Sequence, residues 1–327
     1  MLLGTRTILK RHGIFCSAGG IIEWRGSVKL IVENDELKSI SRIENLKRKN
    51  NMGKIYAMSD IHGCIEELKK QMEFVDLSEN NCIVFLGDYI DYGDSSCQVL
   101  QYLWELQKKN GEDKVIVLKG NHEQMFLEWI DEYRNPFSDD TEDLMTFNDW
   151  LRTDFEYGAN TIRTFVSEQQ MGFLNQISRT CSLETISRKA VQMILSNHKD
   201  LIMWVQNMPT YYDADDQIFV HAGVDEEAGE YWMWGTSDDM LLGKFPASKG
   251  KFYKTIVAGH VGTGTRDLAN DRTYHDIFFD GDSHYYIDGS IYKGGKLLLL
   301  EYDESDGKYY QIEDGRKVLV KKYERYR

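Results

Sequence analysis

Short apolar runs recur along the chain and alternate with helical patterns. Five runs rich in β-branched residues predict buried strands, at residues 54–58, 82–86, 114–118, 217–220 and 255–258. Between the first three runs, apolar residues recur every three or four positions over 65–74 and 98–109, which predicts two helices. This β-α-β-α-β order is typical of an α/β sheet.

The pattern changes between the third and fourth predicted strands. From about 124 to 215 the chain shows amphipathic stretches without a strong strand signal, which predicts a mostly helical insertion that forms a cap. After Gly259, strand-like runs return at 284–287 and 297–302. We expect these two runs to close a second sheet.

The first 51 residues differ from the rest in charge. They contain ten Lys and Arg against five Asp and Glu, whereas the whole chain of 327 residues has a formal charge of −14. The basic run 47–49 predicts a linker. We therefore predict an N-terminal extension over 1–51, with a hairpin formed by 20–24 and 28–32 and no assigned function, and a main domain over 52–327.

Charge and composition exclude several classes of function. The negative net charge disfavours a nucleic-acid duplex as partner, because its phosphates would be repelled. No apolar run approaches the roughly 18 residues of a membrane span, and the start of the chain shows no export-signal pattern. Five scattered cysteines without a CxxC pair favour a reducing cytoplasm. No membrane partner and no particular oligomeric state are predicted.

Potential metal ligands follow all five predicted strands. The groups are Asp60-Ile-His62-Gly63, Gly87-Asp88-Tyr-Ile-Asp91, Gly120-Asn121-His122-Glu123, His221-Ala-Gly223 and Gly259-His260. A single Asp at a strand end is usually a turn residue or a helix cap. Strand carboxyl ends are, however, where α/β sheets build their sites, and a buried cluster of histidines and aspartates without a metal would be costly. The pattern therefore favours a metal site.

The residue types indicate which ions would bind. Imidazole, carboxylate and amide oxygen without thiolate suit Mn²⁺, Fe²⁺ or Zn²⁺. Two ions can be accommodated, with Asp88 as the bridge between them. Asp60 and His62 can hold one ion, and the second can be held by Asn121, His221 and His260.

The ordered set DxHG, GDxxD, GNHE, HAG and GH resembles the calcineurin-like metallophosphoesterase superfamily. The resemblance extends from about Lys54 to Tyr302 and is greatest for the phosphoprotein phosphatase branch and its bacterial, diadenosine-tetraphosphatase-like relatives. The segment 149–161 resembles, more weakly, a "W…GG..T" segment of the bacterial branch. The resemblance implies a four-layer α/β/β/α sandwich and hydrolysis of a phosphoester by a water that two metal ions activate.

The same resemblance implies roles for three further side chains. His122 would be the general acid that protonates the leaving oxygen, and Asp91 would orient its imidazole. Asn121 would contact phosphate as well as metal. The alternative role for His122 is that of a further metal ligand.

The sequence departs from the family pattern at the phosphate-binding arginines. Tyr92 stands where protein phosphatases carry the first arginine, and it either contacts substrate or simply packs. A second arginine is expected between His221 and His260, where only lysines occur. The candidate replacements are Lys244, Lys249, Lys251, Lys254, Arg152, Arg163 and Arg266.

Three functional hypotheses follow. The first is a cytoplasmic serine/threonine or tyrosine protein phosphatase-like phosphomonoesterase, using two divalent ions, preferably Mn²⁺, on a phosphoprotein or a small phosphoester. Asp91 favours it, because the diadenosine-tetraphosphatase pattern usually has alanine there. The second is a hydrolase of dinucleoside polyphosphates or other nucleotides, suggested by the missing arginines. The third is a phosphate-recognition module without turnover.

Overall fold

The computed structural model describes residues 53–78, 80–134 and 155–325, together with three short strands nearer the start of the chain. The chain divides into two compact units, Met1–Lys49 and Asn50–Arg327. In the first unit, β1 (Ile8–Leu9), β2 (Ile14–Ser17) and β3 (Gly20–Ile22) form an antiparallel sheet. The predicted hairpin strand at 28–32 lies outside the described residues, and β3 pairs with β2 instead.

The second unit contains a six-stranded sheet in the order β14-β13-β12-β4-β5-β6. Its strands are β4 (Lys54–Met58), β5 (Cys82–Phe85), β6 (Val115–Val117), β12 (Leu300–Asp303), β13 (Lys308–Glu313) and β14 (Arg316–Leu319). Strands β4, β5 and β6 are parallel, and the other pairings are antiparallel. The three parallel strands thus end at the same edge.

The other sheet has five strands in the order β10-β11-β9-β8-β7. They are β7 (Tyr211–Ala214), β8 (Gln217–Val220), β9 (Thr255–Ala258), β10 (Phe278–Phe279) and β11 (His284–Tyr286). Strands β8, β9 and β11 are parallel, whereas the outer strands β7 and β10 are antiparallel to their neighbours.

Helices connect and cover these sheets. The α-helices are α1 (Ile65–Met72), α2 (Ser96–Asn110), α3 (Asn121–Arg134), α4 (Phe155–Phe165), α5 (Glu168–Ile177), α6 (Leu183–Gln206), α7 (Trp232–Gly235) and α8 (Asp238–Gly243). Two 3₁₀ segments, Glu226–Tyr231 and Ile291–Lys293, follow β8 and β11.

Alternation along the strands explains the layering. In β4, Tyr56 and Met58 pack in a core shared with α2, α3 and α6, whereas the alternate residue Ile55 is buried on the opposite face. That face meets the other sheet, because Tyr285 of β11 stacks on Tyr309 of β13 with 4.2 Å between ring centroids. The helices lie outside both sheets. The predicted four-layer α/β/β/α sandwich is therefore confirmed.

Two strand predictions were wrong in placement. The run at 297–302 was expected to close the second sheet, but β12 pairs antiparallel with β4 in the first sheet. Near the end of the predicted helical insertion, β7 is a strand paired with β8. Strand β7 is an edge strand with a single fully buried residue, so it lacks the apolar run that identified the buried strands. The described parts of the insertion before β7 are helical, and no described helix is long and apolar enough to cross a membrane.

A buried ion cluster ties β11 to the segment that follows β8. His284 is 1% exposed, and its Nδ1 lies 3.0 Å from Asp280 Oδ2. Its Nε2 lies 3.2 Å from Oε2 of Glu226, whose other oxygen is 3.0 Å from Lys244 Nζ. Burial alone would lower the pKa of His284, but the two carboxylates outweigh it and raise the pKa from 6.5 to about 9.

This raised pKa predicts how the stability of the protein depends on pH. A histidine with a raised folded-state pKa stabilises the protein fully below its unfolded pKa, and this contribution is lost as the pH rises through the folded value. We expect His284→Gln to lower the free energy of unfolding by about 3 kcal/mol near pH 6 and by much less near pH 9.5. Urea unfolding of both proteins at the two pH values measures this, and a pH-independent difference would contradict it.

Candidate metal centre and active site

Donor atoms from both sheets meet where the strands end. Two groups of side chains each have their ligand atoms within 4.8 Å of one another: His62, Asp88 and His122, and Asp88, His221 and His260. The first group follows β4, β5 and β6, and the second draws on β5, β8 and β9. Asp88 belongs to both groups, which is the position expected of a bridging ligand.

In the first group, a backbone carbonyl orients the ring of His62. His62 Nδ1 donates to Ile90 O at 2.8 Å, so its Nε2 carries the lone pair and faces Asp88 Oδ2 at 3.8 Å. His122 Nε2 lies 3.8 Å from the same oxygen. These atoms leave room for an ion between nitrogen and carboxylate.

In the second group, a backbone carbonyl likewise orients the ring of His221. His221 Nδ1 donates to Leu86 O at 3.0 Å, and its Nε2 lies 3.4 Å from Asp88 Oδ1. Asn121 Oδ1 is 2.9 Å from His221 Nε2 and 3.0 Å from His260 Nδ1. The structure therefore brings together the amide and imidazole ligands predicted for the second ion.

Asp60, the remaining predicted ligand, lies beside the two groups without belonging to either, and it has an unpredicted neighbour. Its carboxylate accepts the backbone N–H of His260 at 3.1 Å. Burial, followed by the charges of Asp288 and Asp88, raises the pKa of Asp60 well above its usual range. Asp288 is also buried, and burial is the main cause that raises its pKa to about 6. It follows β11 and precedes a glycine, so the pattern that identified the other ligand groups could have found it.

The donor set fits divalent cations. Three buried carboxylates that repel one another need positive charge nearby, and burial of uncompensated charge costs several kcal/mol per ion. The imidazole nitrogens facing Asp88 are the borderline donors that Mn²⁺, Fe²⁺ and Zn²⁺ accept. The site residues thus match the chemistry that the sequence predicted for them.

Several site residues are held in a left-handed backbone conformation. Positive φ values occur at Asp60 (54°), His62 (45°), Asp88 (58°), Asp91 (70°) and His260 (62°). Such a conformation costs on the order of 1–3 kcal/mol per residue and persists only where surrounding contacts impose it. Sharp turns of this kind point the side chains from the strand ends into one cluster.

Glu123 imposes part of this geometry. Its buried carboxylate accepts the backbone N–H groups of Asp88 at 2.8 Å, Tyr89 at 2.7 Å and Gly120 at 3.0 Å. It thereby joins the turn after β5 to the turn after β6. The position of Glu123 at the end of the GNHE motif did not predict this role.

His122 and Asp91 form a hydrogen-bonded pair beside the first group. His122 Nδ1 donates to Asp91 Oδ2 at 2.6 Å, and Thr161 Oγ1 donates to Asp91 Oδ1 at 2.5 Å. Burial would lower the pKa of His122, but the charge of Asp88 and the bond to Asp91 raise it to about 9. Thr161 ends the weakly matching 149–161 segment, so the insertion does reach the site.

Three of the candidate phosphate-binding cations are engaged by other acceptors. Lys244 donates to Val224 O, Lys249 donates to Asp267 O, and Lys254 lies 2.6 Å from Asp213. Lys251, Arg163 and Arg266 are exposed, and Arg152 lies outside the described residues. Tyr92, by contrast, contacts the site, because its ring is edge-on to that of His62 with 4.7 Å between centroids.

Gly259 lies so close to the carboxylate of Asp60 that a larger residue would not fit. This predicts that a substitution at Gly259 lowers metal affinity. A Cβ on Gly259 would lie 2.2 Å from Asp60 Oδ2. We expect Gly259→Ala to displace Asp60 and to lower Mn²⁺ affinity by about 10- to 100-fold. Calorimetric titration of the metal-free protein measures this.

The matched control is Gly172→Ala in α5, where a Cβ would meet nothing within 4 Å. We expect its Mn²⁺ affinity to equal that of the wild type. Equal affinities in all three proteins would contradict the assignment of Asp60.

Comparison with known proteins identifies relatives of the chain. The chain is 33% identical to Shewanella-like protein phosphatase 1 of Plasmodium berghei, in a match covering 89% of this chain and 80% of that protein. It is also 33% identical to the symmetrical bis(5'-nucleosyl)-tetraphosphatase of Wigglesworthia glossinidia brevipalpis, but only over 21% of this chain and 24% of that protein. A cold-active protein-tyrosine phosphatase of a Shewanella species superposes with a TM-score of 0.48 at 16% identity, covering 85% of this chain and 84% of that chain.

The family model of calcineurin-like phosphoesterases matches residues 53–289, a span that contains every predicted ligand and Asp288. Members of this family are dinuclear metal enzymes, and the two donor groups that share Asp88 agree with that property. The chain therefore belongs to the calcineurin-like phosphoesterase family and is a hydrolase of phosphoesters.

Proposed function

We propose that this enzyme is a protein phosphatase-like phosphomonoesterase that acts on phosphoserine, phosphothreonine or phosphotyrosine in proteins. The observation that carries the proposal is the 2.6 Å hydrogen bond between His122 Nδ1 and Asp91 Oδ2. A leaving alkoxide needs a proton, and this pair can deliver one. Similarity to a protein phosphatase over 89% of the chain supports the same substrate class.

We propose that the site binds two divalent ions, preferably Mn²⁺, with iron or zinc as alternatives. Asp60, His62 and Asp88 would hold the first, and the second would be held by Asp88, Asn121, His221 and His260. When bound, two such ions lower the pKa of a water molecule and neutralise charge on the phosphate. Asn121 holds its Oδ1 between two histidines, and we assign its amide nitrogen as a donor to phosphate.

His122 would act as the general acid through Nε2. Its Nδ1 is committed to Asp91, and Thr161 fixes the other Asp91 oxygen. This fixes the orientation of the imidazole, so that the proton on Nε2 faces the cluster that contains Asp88. Protonation of the leaving group by such a side chain typically contributes about 10²- to 10⁴-fold to the rate.

Hydrolysis of dinucleoside polyphosphates is the second candidate function. It is supported by relatives named as symmetrical bis(5'-nucleosyl)-tetraphosphatases, although their matches cover about a fifth of this chain. Asp91 favours the monoesterase, because the dinucleotide pattern usually has alanine there. The free thiols of Cys64, Cys82, Cys97 and Cys181 support our placement of the enzyme in the cytoplasm.

The general-acid assignment predicts a dependence on the leaving group. We expect His122→Ala and Asp91→Asn to lower kcat on a phosphoserine peptide by about 10²- to 10⁴-fold. The loss on 4-nitrophenyl phosphate should be much smaller, because nitrophenolate leaves without a proton. Steady-state kinetics on both substrates, with metal content measured in each variant, tests this.

Other outcomes identify the alternatives. Equal losses on both substrates together with lost metal would make His122 a metal ligand. Faster turnover of a diadenosine polyphosphate than of any phosphopeptide would establish the nucleotide function. Binding of phosphopeptides without hydrolysis would indicate a recognition module.

A further inference from the structure

The loop that follows β11 is rigid and leads to the metal centre. It begins at Asp288 and contains the 3₁₀ turn Ile291–Lys293. Ser290 O accepts the backbone N–H groups of Lys293 at 2.9 Å and Gly295 at 3.1 Å, and Gly289 O accepts that of Lys296 at 3.1 Å. These backbone hydrogen bonds close the turn that carries the tip of the loop.

The tip places an aromatic ring against the predicted site residues. Tyr292 stacks on Tyr92 with 4.0 Å between ring centroids and 18° between planes. Both rings also contact His62 edge-on, at 4.8 Å for Tyr292 and 4.7 Å for Tyr92. Tyr92 further lies 5.5 Å from the ring of His122. The two tyrosines thus form a wall beside the group of His62, Asp88 and His122.

A positive charge lies at this wall. Lys293 Nζ is 4.8 Å from the ring centroid of Tyr292, within the range of a cation–π contact. The side chain is exposed, so its ammonium is open to an incoming anion. Lys293 therefore places an exposed positive charge against a ring that contacts His62.

Three of the other lysines considered for this task are already paired. Lys244 donates to Val224 O, Lys249 donates to Asp267 O and Lys254 donates to Asp213. Lys293 differs from them because it adjoins a ring that contacts His62.

We propose that Lys293, placed against the ring of Tyr292, binds the phosphate of the substrate and supplies the positive charge that arginines supply in related phosphatases. An ammonium is a point charge that several phosphate orientations can satisfy, whereas an arginine fork fixes one. The stacked tyrosines restrict where the lysine chain can lie and so replace part of that lost orientation. This deepens the proposed phosphomonoesterase function and concerns the same site.

The test uses phosphate ligands without any peptide. We expect Lys293→Gln in the full chain to raise KM for 4-nitrophenyl phosphate and Ki for inorganic phosphate by about 10-fold or more, because a charge-assisted contact is lost. Lys293→Arg should stay near the wild type, since it retains the charge. Tyr292→Leu should raise both constants by a smaller factor, with bound metal unchanged.

Lys296→Gln is the matched control. It removes the same charge from the same loop, but Lys296 is paired with Asp276 at 2.8 Å. We expect its KM and Ki to equal those of the wild type. Unchanged constants in Lys293→Gln, or equal changes in both lysine variants, would overturn the proposal. Because 4-nitrophenyl phosphate and inorganic phosphate contain no peptide, failure to hydrolyse phosphoproteins would count against the proposed function and would not affect this test.

Discussion

The close burial of Asp60, Asp88 and Asp288 is the constraint on which the rest of the site depends. Carboxylates packed together inside a protein repel one another and lose their hydration. Burial and the neighbouring charges raise the pKa of Asp60 well above its usual range, as expected of such a group. Histidine nitrogens and divalent cations are the partners that make this arrangement stable. The clustering of ligands and the need for metal therefore have one physical cause.

Both sheets bring the carboxyl ends of their parallel strands to one edge, where the ligand cluster forms. Parallel strands β4, β5 and β6 end at one edge of the first sheet, and β8, β9 and β11 do so in the second. Several ligands turn sharply away from their strands, as the positive φ values at Asp60, Asp88 and His260 show. Glu123 offsets part of this strain by accepting four backbone N–H groups.

Much of this arrangement was predictable because buried strands and their ligands are local in sequence. Gln217–Val220 is an uninterrupted apolar-rich run, and His221 follows it directly. The sheet to which a strand belongs is not local, so the placement of β12 beside β4 could not be derived from periodicity. Tyr292 was missed for the same reason, since its contact with His62 depends on a loop that is distant in sequence.

The central claim is that two ions share Asp88, and metal stoichiometry tests it most directly. The measurement is the Mn²⁺ content per chain of wild type and Asp88→Asn after equilibration with Mn²⁺ and removal of free metal. The account predicts two ions in the wild type and loss of at least one in the variant, because an amide offers one acceptor oxygen in place of two. A single ion in the wild type, or two ions in both proteins, would contradict it.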